Sequence, residues 1–280
     1  VHRCRTGYRD DRTRRRIVMT HVLLDIADGI GTVTLNRPEK LNAFFGAMRD
    51  EIGMALEEMA AREEVRVVVV TGKGRAFCTG ADVGYMAGLI ERGEFDEANA
   101  LVTAGRRVIG AITAMDKPVI GSLTGPAAGG GANLALACDL RIASDRASIG
   151  QTFNRIGLHP DWGGTWLLPR LVGRARAAEL FFLGEMIDAV EAERLGLVNR
   201  VVPHDALEAA TLDWAGRLAA KPALALALAK QALRRSHNST LDEMLDYEAE
   251  AQDRCFRSAD ALEGTMAFVE KRPPRFGAGA

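Results

Sequence analysis

Hydrophobic positions fall into two regimes along this chain. From about residue 20 to residue 176, short apolar runs of strand length alternate with longer stretches of helical period. Residues 21–25 and 30–35 flank Asp28-Gly29, a dipeptide suited to a tight turn, and predict a hairpin. Residues 48–60 predict an amphipathic helix. Residues 66–71 form a β-branched run of the kind buried inside parallel sheets. A glycine-rich loop, GKGRAFCTGAD at 72–82, follows. Residues 95–115 predict a long helix, 118–123 a buried strand, 139–144 another strand and 147–150 a further short one. This alternation predicts an α/β fold with largely parallel strands. From Ala177 onward Ala and Leu dominate, and strand signals fade apart from 197–202. Residues 207–220, 223–235, 241–256 and 259–271 predict helices. Pro222 separates the first two, Ser258 is placed to cap the last, and Pro273-Pro274 stops it. Apolar faces on such helices must pack on the body or on a partner subunit.

Composition changes this picture little. At 280 residues, 48% hydrophobic and 26% charged, the chain has an ordinary globular make-up with room for a large core. Charge is uneven. Residues 1–18 hold seven Arg (3, 5, 9, 12, 14, 15 and 16) against Asp10 and Asp11. Removing these from totals of 36 basic and 37 acidic residues leaves 29 against 35. A basic nucleic-acid surface is therefore no property of the body. The N-terminal segment lacks the apolar stretch of a secretory signal. It is read as an unstructured extension before Met19, with a transit peptide or an RNA-binding tail as rival readings. Cys4, Cys78, Cys138 and Cys255 are widely spaced, without a CxxC or Cys–His cluster. Neither a metal site nor a disulfide framework is expected, and a reducing cytoplasm fits. Residues 118–138 run 21 positions without a charge, but two Pro, five Gly and Asn133 argue for strand-turn-helix over a membrane span.

That uncharged segment carries the main chemical signal. Gly129-Gly130-Gly131 opens the apolar run NLALAC. The first N–H groups of a helix lack intrahelical partners and sit at the positive end of its dipole. They suit a phosphate or a developing oxyanion. The loop at 72–82 supplies a second candidate donor, because sites in open parallel sheets gather where loops leave strand C-terminal ends. Losing one oxyanion donor typically costs about 2.7–4 kcal/mol of transition-state stabilisation. Neither loop ends in Gly-Lys-Ser/Thr, and neither is a dinucleotide fingerprint. A tight turn without a ligand is the plain alternative for either loop taken alone.

Six segments go further: LNRPEKLNAF (35–44), GRAFCTGAD (74–82), KPVIGSLTGPAAGGGANLALACD (117–139), IGLHPDWGGTWLLPRLVG (156–173), ERLGLVNRVV (193–202) and EGTMAFVEKR (263–272). In these, over about residues 23–276, the chain resembles the crotonase (enoyl-CoA hydratase/isomerase) superfamily. The resemblance implies a spiral of ββα units, a C-terminal helical region that builds trimers often paired into hexamers, acyl-CoA thioester substrates and an enolate-like intermediate. It implies no metal or redox cofactor, CoA arriving as part of the substrate. The expected organisation is an extension at 1–18, a core with the acyl-CoA site at 19–203 and a helical region at 204–280, without a nucleic-acid or membrane partner.

Carried over residue by residue, the resemblance assigns the oxyanion hole to the N–H groups of Ala81 and Gly130. It runs the backbone from Cys78 through Gly80 and Asp82 to Tyr85 alongside the pantetheine and adenine. Lys40 would approach the CoA phosphates, and Phe268 and Lys271 would cover CoA, in some relatives from a neighbouring subunit. Asp82 reads more plainly as a loop-bracing carboxylate, and Arg37 and Glu39 as solvated loop charges.

Departures from the family pattern sharpen the chemistry. The two hydratase glutamates fall at Asn133 and Phe153 here. Asn is not basic near neutral pH and Phe transfers no proton, so water addition by the two-Glu mechanism is not expected. Asp161, in HPDWGGTW, stands where hydratases usually carry Gly. Dienoyl-CoA isomerases, the epoxyphenylacetyl-CoA isomerase branch and 4-chlorobenzoyl-CoA dehalogenases resemble this chain in having Asp there, and PDWGGTWLLPRLVGRARA looks closest to the epoxyphenylacetyl-CoA isomerase branch. A lone carboxylate can move a proton between two carbons beside a thioester enolate, which is the minimum for shifting a double bond or opening an epoxide. Phe153 and Trp162 would desolvate it and raise its pKa. Asn133 could position a water or the thioester. His159 reads as a loop-packing residue, and for Asp161 the plain alternative is a turn residue. The expected function is therefore isomerase-like. The rivals are a hydratase with rearranged groups and a catalytically silent acyl-CoA-binding protein.

Overall fold

The computed structural model describes residues 15–277. The chain starts with three antiparallel strands, β1 (Arg15–Val18), β2 (Val22–Ala27) and β3 (Ile30–Leu35). The β2–β3 turn is made by Asp28 (φ 51°) and Gly29 (φ 76°), two successive residues with positive φ, whose twist matches that of the hairpin. Then come α1 (Gly46–Ala61), β4 (Val67–Gly72), α2 (Val83–Glu91), α3 (Phe95–Ala114), β5 (Val119–Leu123), β6 (Ala127–Ala128), α4 (Gly130–Ala137), β7 (Leu140–Ser144) and β8 (Ser148–Gly150). The remainder is α5 (Gly164–Leu183), β9 (Met186–Asp188), α6 (Ala189–Arg194), β10 (Arg200–Val202), α7 (Leu207–Ala219), α8 (Ala223–Ser236), α9 (Leu241–Phe256) and α10 (Ala259–Val269). Seven strands form one sheet in the order β1-β2-β3-β4-β5-β7-β10, parallel from β3 onward. A second small sheet has the order β6-β8-β9.

The valine run of β4 shows why these sequences become central strands. Side chains alternate across a strand. Val68 and Val70 enter the main core with Leu24, Leu56, Val108 and Leu134, while Val67 and Val69 meet Ile120, Ile142, Leu207 and Ala215 on the opposite face. Both faces are therefore covered. Helix α1 buries Met48, Ile52, Leu56 and Met59 at helical spacing on one side, and α7 covers the other. The expected boundary between core and helical region falls between β10 and α7, yet α7 still packs on the sheet.

From α8 the chain leaves the sheet. Lys230 on α8 donates to the carbonyls of Ile112 and Lys117 and to the Asp139 carboxylate at 2.7 Å, tying the helical region to the body. Helix α9 starts with a reciprocal Thr240–Glu243 capping box, and Ser258 accepts from Ala261 N–H to cap α10.

Residues 15–18 correct the expectation of an unstructured extension at 1–18. They pair with Leu23–Ile26 as β1, because the outer edge of β2 otherwise leaves its backbone groups unpaired. The rest of that extension and Cys4 lie outside the described residues. Helix α5 is not among the elements that the sequence pattern predicts. It bends at Gly173 (φ 76°, ψ 162°) and contains Pro169, residues that mask a helical pattern. Among the described residues no helix is long and apolar enough to cross a membrane.

Candidate active site

Two loops meet at the C-terminal ends of β4 and β5. The first is held by Asn42, a fully buried residue that the motifs do not single out. Its amide donates to the carbonyls of Lys73, Ala76 and Phe77, and its Oδ1 accepts from Arg37 N–H. One side chain thus fixes the path of the glycine-rich loop. Farther along, Phe44 N–H donates to Gly80 O at 2.6 Å and Asp82 N–H donates to Phe44 O at 2.8 Å. In such a parallel bridge the N–H of the intervening residue, Ala81, points to the other side of the strand.

The second loop lies directly against the first. A Cβ on Gly80 (φ 81°) would sit 2.8 Å from Ala128 O and 3.2 Å from Gly130 N. One on Gly131 would strike the Cys78 carbonyl. Gly129 (φ 53°, ψ −125°) adopts a backbone conformation open essentially to glycine, and its N–H is taken by Gly150 O at 2.9 Å. Gly130 is then the first residue of α4, where no intrahelical acceptor exists for its N–H. Ala81 and Gly130 are therefore brought close together by the backbone approach of their loops.

The third component is the loop before α5. Trp162, held at φ 46°, stacks on Phe44 with ring centroids 4.1 Å apart and donates from Nε1 to Leu101 O. Its Cγ would lie 3.6 Å from a Cβ on Gly130, so Asp161 is carried to the loop that presents Gly130. Gly105 on α3 makes room for the indole. Desolvation pushes the Asp161 carboxyl up to about 6, against the opposing effects of its own N–H and of His159. Asn133 is fully buried. Its amide donates to the Asp161 carbonyl at 2.8 Å and its Oδ1 accepts from Gln151 Nε2 at 2.8 Å. Phe153 packs against Gly129.

Several expected residues take other places. Asp82 accepts from Tyr85 N–H as the cap of α2 and pairs with Arg37 at 2.8 Å, so Arg37 braces the loop and is no solvated charge. Its carboxyl is held low; desolvation raises it, but the Tyr85 N–H and Arg37 outweigh that effect. Lys40, exposed on the turn Pro38–Lys40, adds positive potential at Asp82. Tyr85 donates from its hydroxyl to Glu97 at 2.9 Å. Cys78 is wholly buried, its thiol pushed up to about 12 by desolvation. Burial of the thiol leaves only its backbone for the place alongside a ligand that the resemblance assigns. Phe268 is 85% exposed on α10, whose following chain returns to Asp260 through Gly277 N–H. Lys271, just after α10, is exposed as well. Among the described residues no group of three or more His, Cys, Asp or Glu is placed to hold a metal ion.

Glycine-lined loops at the ends of parallel strands, with helices closing both faces, place this molecule among the crotonase folds. The chain belongs to the enoyl-CoA hydratase/isomerase family, whose sequence model matches residues 25–279. It is 43% identical over 256 residues to a Rhodobacter capsulatus protein named "Probable enoyl-CoA hydratase", covering 90% of this chain and 96% of that one. It is 38% identical over 266 residues to the 1,2-epoxyphenylacetyl-CoA isomerase of Escherichia coli, covering 92% and 99%. The crystal structure of an enoyl-CoA hydratase from Bacillus anthracis superposes with a TM-score of 0.87 at 36% identity, over 92% of this chain and 99% of that one. The protein is thus an acyl-CoA enzyme of this family.

Proposed function

We propose that the enzyme isomerises unsaturated or epoxidised acyl-CoA thioesters by a proton shift through an enolate. The N–H groups of Ala81 and Gly130 hold the thioester oxygen as negative charge develops on it. In a double-bond shift the Asp161 carboxylate takes a proton from Cα of a 3-enoyl thioester, and the electron pair moves onto the thioester oxygen. The protonated Asp161 then returns that proton to Cγ, leaving a 2-enoyl thioester. No water is consumed.

One observation carries this reading. Of the three positions where family members keep proton-transfer groups, only Asp161 can ionise, and it is desolvated to about 6, near the working range of a general base. Asn133 has both ends of its amide engaged within the protein, which favours a bracing role over water activation. Lys40 supplies charge at the rim for CoA phosphates. The exposed apolar residues of α9 and α10, among them Phe256, Leu262 and Phe268, fit burial in a trimer.

The test is side-by-side assay of 3-hexenoyl-CoA isomerisation and crotonyl-CoA hydration by the enzyme and by Asp161→Asn. The expected result is isomerisation without appreciable hydration, lost in the variant while acyl-CoA binding persists. Robust hydration would favour the second reading, a hydratase with rearranged groups, for which the name of the Rhodobacter capsulatus relative speaks.

A further inference from the structure

Gln151 is 2% exposed and directly follows β8, yet the chemistry above gives it no task. Its Nε2 donates to Asn133 Oδ1 at 2.8 Å, and Asn133 Nδ2 donates to the Asp161 carbonyl at 2.8 Å. The polarity of this chain is forced from one end. A backbone carbonyl only accepts, so Asn133 must present its NH2 to Asp161, and Gln151 must then present its NH2 to Asn133. The consequence is visible at the other end, where Gln151 Oε1 is buried without a hydrogen-bond partner. An orphaned buried acceptor opposes folding.

Both members of the pair are anchored on the backbone that presents Gly130. Asn133 lies one turn into α4, its N–H donating to Gly129 O, and Gly150, the neighbour of Gln151, accepts from Gly129 N–H. Gly164 completes the cradle, because a Cβ there would strike the Asn133 side chain, while Gly164 N–H gives the Asp161 carbonyl its second donor at 3.0 Å.

We propose that Gln151 and Asn133 form an amide relay that positions Asp161 relative to the oxyanion donors, with Gln151 a positioning residue for the proton transfer. This rests on the assignment of Asp161 as the acid/base group. Both amides are neutral, so the relay fixes the loop without setting a second negative charge beside the carboxylate, as glutamate at 133 would.

Gln151→Met keeps the volume and removes the donor. It exchanges one orphaned acceptor for another, Asn133 Oδ1, so thermal stability should change little. With 3-hexenoyl-CoA as probe, kcat should fall roughly 10- to 100-fold, since a displacement on the order of 1 Å has that effect, and KM should stay within about threefold. Gln151→Glu, whose carboxylate only accepts, should be at least as damaging at pH 8. Wild-type kcat in either variant overturns the relay, as does a loss explained by the unfolded fraction. Asp161→Asn run in parallel separates the two readings. If it retains turnover, the acid/base assignment fails. If it loses turnover while Gln151→Met does not, the relay alone fails. A carbon-13 carboxyl NMR titration of Asp161 needs no substrate. The relay predicts a lower midpoint in Gln151→Met, as the loosened side chain reaches water, and an unchanged midpoint counts against it.

Discussion

Phe44 and Trp162 stack face to face, 4.1 Å between centroids and 10° between planes, and each is the immediate support of a different part of the site. Phe44 bridges to the Ala81 strand through its backbone, and Trp162 adjoins Asp161. The stack therefore joins a proposed oxyanion donor to the proposed base through a rigid apolar contact. Trp162 also sits at φ 46°, a region costly for a bulky residue, and the stack with the Leu101 hydrogen bond holds it there.

Trp162→Ala should accordingly destabilise the fold by about 3–5 kcal/mol, as for other large aromatic truncations. Trp162→Phe should recover much of that, keeping a ring on Phe44 while losing the Nε1 bond. Urea denaturation checks the order wild type, Phe, Ala. A Phe variant as unstable as the Ala variant would mean that the ring contact with Phe44 stabilises the loop little.

The Asp161 carboxyl gives two pH dependences of known sign. As a base it must start ionised, so kcat should rise with pH through about 6. For stability, its folded value lies above the unfolded one, so the folded state binds the proton more tightly. Stability from this group is present at low pH and is lost as pH rises from about 4 through 6. Asp161→Asn should thus stabilise the protein above pH 6, by at most about 3 kcal/mol from the size of the shift, and be neutral near pH 4. Melting temperatures of both proteins at pH 4.5 and 8 test this; equal differences at the two values would refute it.

Gly131→Ala should be far more damaging than its size suggests. The new Cβ meets the Cys78 carbonyl, a backbone atom that cannot swing away. Either α4 or the Cys78–Ala128 contact must shift, and the spacing of Ala81 and Gly130 shifts with it. A drop of at least about tenfold in kcat/KM is expected, by analogy with loss of one oxyanion donor. Steady-state kinetics on folded variant decides the point.

Lys230→Met should loosen the helical region. It strips one carboxylate and two carbonyls of a shared donor, leaving Asp139 partly buried without its cation. Asp139 is already raised by desolvation, with Lys230 the main opposing influence, and it also accepts from Val119 N–H. A loss of about 1–3 kcal/mol is expected. Faster amide exchange in α8 and α9 than in β4 would locate the effect.

Much of this architecture is written locally. The valine run, the Asp28-Gly29 turn and the glycine-opened helix each carry a period or a backbone requirement that a short window displays. The three converging loops were legible too, because the family motifs mark them. What escaped depends on distant partners. Asn42 looks like any loop asparagine until the carbonyls of residues 73, 76 and 77 close on it. Gly105 looks like a weak point in a helix until Trp162 fills the space beside it. Gln151 shows no sign of its role beyond proximity to a site residue. Helix α5 was hidden by Pro169 and Gly173, which argue against the element they interrupt.

The short strand at Arg15–Val18 bears on how the protein is best produced. Its register covers Leu23 to Ile26, the outer side of the sheet. A recombinant chain begun at Met19 would uncover that side, with a row of open donors and acceptors on a β-rich, apolar segment. Such a product is expected to self-associate edge to edge, and solubility trouble in it would trace to a missing neighbour strand and not to a failure of the core.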